Sequence, residues 1–144
     1  MHTSIKELLE KNKWCGSKSS SQNDIDLIEA TFKTTLPSDY KELLQFSNGG
    51  ALEGFETPFI IYTIKEVIIL FKEYDFYKNI PNSLIFGGDG GGTLYCYDLR
   101  NEKATIFFVK EDNIDYEKSI FRSSTLTSTI LKIINNEKLN LEMT

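Results

Sequence analysis

Gly87-Gly88-Asp89-Gly90-Gly91-Gly92 is the first place in this sequence to look for chemistry, because bare backbone amides can cradle a phosphate. The surroundings argue against that use. No Gly-Lys-Ser/Thr follows, the glycines lack a GxGxxG spacing, and the run leads into a strand instead of opening a helix. The structural reading is a tight turn or bulge whose positions need positive φ. A partner could still approach this bare backbone closely, with Asp89 projecting into the contact. Asn48-Gly49-Gly50 invites the same comparison, and a left-handed helix cap accounts for it.

Carboxylates come next. Asp89 and Asp98 could in principle form a general acid/base pair of the glycosidase kind, although aspartates beside turns more often serve the turn itself. His2 is the sole histidine and sits at the chain's start, so histidine-based catalysis lacks a base and zinc lacks a ligand set. The expectation is therefore no catalytic residue, no metal and no cofactor. Cys15 and Cys96 are far apart in sequence and read as free thiols in a reducing compartment. The formal charge of −5, with lysines scattered rather than striped, disfavours direct nucleic-acid binding and favours a basic protein partner, besides serving solubility. Glu53, Glu56, Asp89, Glu111 and Asp112 are the acids assigned to that contact.

Something must position those groups. With 144 residues, 40% hydrophobic and 26% charged, the chain has the size and composition of one folded domain, residues 1–144. No apolar run approaches the roughly 18 residues a bilayer demands, and no signal-peptide pattern opens the chain, so a cytoplasmic protein without membrane contact is expected. Ile5, Leu8 and Leu9 predict an amphipathic helix over Ile5–Lys13, followed by a polar loop from Gly16 to Ser21. Ile25, Ile28 and Phe32 predict a second helix over Asn23–Phe32 behind a capping serine. Pro37 stops it, and a third helix restarts at Ser38 with Asp39 at its positive end and Tyr40, Leu43 and Leu44 on a core face.

Phe59–Tyr62 reads as a strand, and Thr63-Ile64-Lys65-Glu66 matches a capping box before Val67, Ile68 and Phe71. That segment is read as helix, with its β-branched residues leaving a strand possible. Leu84–Phe86, Thr93–Asp98 and Ala104–Lys110 read as strands joined too tightly for crossovers, hence antiparallel. Leu126, Ile130, Ile133 and Ile134 predict a last helix that begins near Ser124 or Thr125 and fades at Asn135-Asn136. The fold class is α+β, an antiparallel sheet flanked by helices.

Two stretches, Ile28-Glu29 through Leu36-Pro37-Ser38-Asp39-Tyr40-Lys41-Glu42-Leu43-Leu44 to Asn48-Gly49-Gly50, and Ile85-Phe86-Gly87-Gly88-Asp89-Gly90-Gly91-Gly92 through Tyr95-Cys96-Tyr97-Asp98-Leu99, go beyond generic structure. In this order and spacing they resemble the SUKH superfamily, which includes a yeast regulator of cell-wall synthesis and many bacterial immunity proteins. The likeness runs from about residue 21 to 136, and within it Pro37, Asn48, Gly49, Gly50, the glycines of the second stretch and Asp98 are structural motif positions. Glu111 to Glu117 match little of it. The resemblance implies a twisted antiparallel sheet flanked by helices, and an immunity role: binding and neutralising a cognate toxin domain, often a nuclease. A cytosolic regulatory scaffold with several partners and a small-molecule enzyme using Asp89 and Asp98 are the alternatives.

Overall fold

The computed structural model describes residues 4–135, so His2 and Asn136 lie outside it. Five helices, α1 (Ile5–Glu10), α2 (Gln22–Phe32), α3 (Ser38–Phe46), α4 (Ile64–Glu73) and α5 (Leu126–Ile134), accompany seven strands. The strands are β1 (Trp14–Gly16), β2 (Gly50–Leu52), β3 (Phe59–Ile61), β4 (Ser83–Gly88), β5 (Thr93–Asp98), β6 (Thr105–Lys110) and β7 (Phe121–Ser123). They form one antiparallel sheet in chain order, the α+β architecture the sequence implies.

Caps fix most helix starts. Ser21 with Asp24 and Thr63 with Glu66 close reciprocal capping boxes on α2 and α4, and Thr125 accepts from the Ser128 amide at the start of α5. The β-branched α4 segment is thus helical: the box holds its first turn, and Ile64 and Val67 bury one face. The first helix is shorter than periodicity suggests, because the chain turns after Glu10 and Lys13 takes a left-handed φ of 63° that aims Trp14 into β1. Asn48-Gly49-Gly50 is not a helix cap. The chain leaves α3 through an extended Ser47, Gly49 makes the turn at φ 86°, and Gly50 already belongs to β2.

Side chains on α3 and its exit cap other helices. The Asp39 carboxylate accepts from the Leu126 amide at 2.8 Å and from the Tyr97 hydroxyl at 2.9 Å. Glu42 accepts from the Ile5 amide at 3.0 Å, and the Asn48 side-chain oxygen from the Ile64 amide at 2.9 Å. The first residues of α5, α1 and α4 are therefore all tied to one segment, each bond satisfying a helix-end donor that would otherwise lack a partner.

Burial on both faces makes the central strands near-continuous apolar runs. Leu84, Phe86, Tyr95, Tyr97, Ile106 and Phe108 join the core under all five helices. Ile85, Leu94, Cys96, Phe107 and Val109 face the other way and are covered by irregular chain, chiefly Ile80, Tyr77 and Tyr116. Each such side chain contributes about 1.5–3 kcal/mol by leaving water. The segment after Lys110 that departs from the family pattern forms part of this cover: the Tyr116 ring lies 5.0 Å from that of Phe107, and its hydroxyl donates to the Pro81 carbonyl at 2.6 Å.

Candidate partner-binding surface

In a meander, alternate connections emerge at the same end of the sheet. Leu52 pairs with Phe59, Ile60 with Gly88, Gly88 with Leu94, and Thr93 with Lys110. The β2–β3 loop, the β4–β5 turn and the start of the β6–β7 connection therefore lie side by side, on strands spaced about 4.8 Å apart. Glu53 and Glu56 ride on the first, Asp89 on the second, and Glu111 and Asp112 on the third, so acids separated by up to 59 positions share one end of the molecule. Lys110 stands among them. The β2–β3 loop is pinned by the Tyr95 hydroxyl, which donates to the Pro58 carbonyl, and the third segment by the Glu111 amide, which donates to the Gly92 carbonyl at 2.8 Å.

Half-buried Tyr62 lies near two of these acids, Glu111 and Asp89. Its hydroxyl is pushed up to about 12 by burial first, with Glu111, Cys96, Glu66 and Asp89 adding to the effect. Glu66, which also acts on Tyr62, stands in the first turn of α4, where its carboxylate accepts from the Thr63 amide at 2.8 Å, and the sequence reading gave it only that capping role. The sequence carried no other signal for it.

The glycine run divides into parts with different duties. A bulge at Phe86 shifts the β4 register, and a Cβ on Gly87 would run into the Ile60 carbonyl oxygen, so this glycine admits β3. Gly90 and Gly92 alone in the run have left-handed φ, 77° and 108°, and make the turn. The tight turn with positive φ is thus carried by Gly90 and Gly92, and Gly87, Gly88 and Gly91 have ordinary φ. Asp89 serves the turn as well, its Oδ1 accepting from the amides of Gly91 at 2.7 Å and Thr93 at 3.0 Å.

Asp98 does not belong to this end. It closes β5 opposite Ser83, while Asp89 precedes the strand's start, which separates the two by roughly 17 Å of extended chain. No acid/base pair is assembled. Asp98 instead anchors the only arginines in the chain. Arg100 donates to it from Nε at 3.0 Å and Nη2 at 2.8 Å, and Arg122 from Nη1 at 3.4 Å. The Arg100 guanidinium lies 3.5 Å above the Tyr116 ring, and that of Arg122 is 5.3 Å from the Phe107 ring. Burial alone would raise the Asp98 carboxyl, but the Arg100 hydrogen bonds outweigh it and hold the group below the usual carboxylate range.

Among the described residues, no group of three or more His, Cys, Asp or Glu side chains is placed to hold a metal ion, and no helix is long and apolar enough to cross a membrane. An open cleft of about 710 Å³ lies at the opposite end of the sheet, lined by Thr35, Asp39, Leu99, Lys103 and Thr125 among others, and none of the clustered acids reaches it. The SMI1 / KNR4 family (SUKH-1) matches residues 19–130. No curated protein matches the chain.

Proposed function

The chain belongs to the SMI1 / KNR4 family (SUKH-1), and from that premise we propose that it is an immunity protein, which binds a cognate toxin domain one to one and blocks it. The gathering of Glu53, Glu56, Asp89, Glu111 and Asp112 on adjacent loops carries this reading. A nuclease must be basic where it holds phosphate, so an acidic surface gains fast, salt-sensitive association and competes for the place of nucleic acid. The toxin is accordingly a basic nuclease domain, met in the cytoplasm, and inhibition is stoichiometric. The separation of Asp89 from Asp98 supports binding over turnover.

Capture with the tagged protein from its source cells, followed by mass spectrometry at low and high salt, tests this. One dominant nuclease-like partner that weakens with salt is the expected outcome. Capture of no nuclease at either salt sinks the proposal. The regulatory scaffold is the second reading, favoured by the exposed aromatics Phe71 and Tyr74 on a different part of the surface, and it predicts several unrelated partners.

A further inference from the structure

A second concave feature stands apart from the acid loops. Phe32 at the end of α2, Phe71 near the end of α4, and Tyr77 form three mutual ring contacts at 4.4, 6.0 and 5.0 Å. Together with Pro81 and Leu99 they line a pocket of about 420 Å³, room for one large side chain. One of its three rings reaches solvent, Phe71 being 36% exposed. Isolated apolar residues on a surface are ordinary, but aromatics grouped around a hollow are what interface anchors seek.

The polar groups of this pocket discriminate among occupants. The Tyr77 hydroxyl accepts from the Ile85 amide at 2.7 Å, and the Ser83 hydroxyl donates to the Ile80 carbonyl at 2.7 Å, so both are engaged. Lys33 is the sole charged lining residue, and it makes no ion pair among the described residues, the nearby Glu29 being bound to Lys41 at 3.2 Å. Lys33 is held at the pocket mouth as the left-handed C-cap of α2, φ 56°, its amide donating to the Glu29 carbonyl. On a chain of charge −5, this hollow carries a single positive charge beside its three rings.

We propose that the pocket is a second docking site, which takes a bulky apolar side chain from a segment of a partner protein that carries carboxylates beside it. The apolar side chain fills the ring-lined floor, and a neighbouring carboxylate meets Lys33, with the Asn82 amide as a further donor. Ser83 pairs with Asp98, so the site is at the end of the sheet away from the acid loops. It therefore does not depend on the toxin-binding proposal, and both surfaces can be occupied together.

Amide spectra of the isotope-labelled protein, recorded during titration with blocked peptides, test it. The probes are Gly-Asp-Leu-Phe-Asp-Gly, the same peptide with lysines for its aspartates, and a third with alanines for Leu-Phe. The aspartate–Leu-Phe peptide should shift the amides of Lys33, Thr34, Asn82 and Ser83, binding at least about tenfold more tightly than either control. Lys33→Glu, at an exposed side chain, should reverse the preference between the charged peptides, and Lys33→Gln, which adds no negative charge at the end of α2, should abolish it. Absent shifts, equal shifts from the lysine peptide, or shifts confined to the Asp89–Gly92 turn would each overturn the proposal.

Discussion

Asp98→Asn keeps the side chain's size and removes its charge, leaving Arg100 and Arg122 around a neutral amide. The carboxylate is 4% exposed, whereas the two arginine side chains are 43% and 44% exposed. Breaking a fully buried pair costs about 3–5 kcal/mol. Because water reaches both guanidiniums, and Asn retains one acceptor, the loss reduces to about 2 kcal/mol, the scale of charge-assisted hydrogen bonds discounted for screening. With a urea slope near 2 kcal/mol per molar, the unfolding midpoint should fall by about 1 M. Trp14, the only tryptophan, supplies the fluorescence signal.

The pH dependence adds a sign. The folded Asp98 carboxyl lies below its ordinary value, so its contribution is fully present above the unfolded value of about 3.9 and is lost as pH falls through the folded one. Wild type and variant should therefore differ most at neutral pH and converge only in acid below about pH 4. A midpoint unchanged at pH 7, or a gap that widens on acidification, would refute the account of Asp98 as an ionised anchor.

Neutralising Glu53, Glu56, Asp89, Glu111 and Asp112 together to amides should slow association with the toxin by about tenfold or more at low salt and flatten its salt dependence, as read by stopped-flow mixing; an unchanged rate would remove the electrostatic basis of the proposal. Gly87→Ala should destabilise by about 1–3 kcal/mol by driving a methyl group into the Ile60 carbonyl, while Gly91→Ala, which meets nothing closer than the Asp89 carboxylate at 3.7 Å, should stay within about 0.5 kcal/mol in the same denaturation assay. Asp39→Ala removes an amide cap and a tyrosine hydroxyl bond; a cost of about 1–3 kcal/mol is expected, with faster hydrogen exchange at the start of α5.

The elements legible in the sequence were those whose cause is local. Ser21, Thr63 and Thr125 announce helix starts within three residues of the amides they cap. β1, β2 and β7 were not legible: each is three residues long, as β3 is, but lacks the unbroken β-branched and aromatic run that marks Phe59–Tyr62. β1 and β2 also contain the paired Gly16 and Gly50, which look like loop residues until the Trp14 ring is seen lying over both. Asp39 was readable as an early helix acid, but its bond to Leu126 spans 87 positions, and nothing local signals it. The acids of the candidate surface were readable one by one. Their gathering depends on which strand ends coincide, and that follows from the meander's register rather than from any spacing along the chain.

The division of labour between α3 and the loops bears on how such a protein can change. Asp39, Glu42 and Asn48 concentrate the fastening of three helices in ten residues, so a single lesion there is felt in several places at once. Glu53, Glu111 and Asp112 sit on exposed connections, where substitutions usually cost little. Substitutions can therefore accumulate in the outer loops stepwise, each variant still folding, while changes in the frame cost stability. For the proposed immunity role, this means that the contact surface can change without passing through an unfolded intermediate.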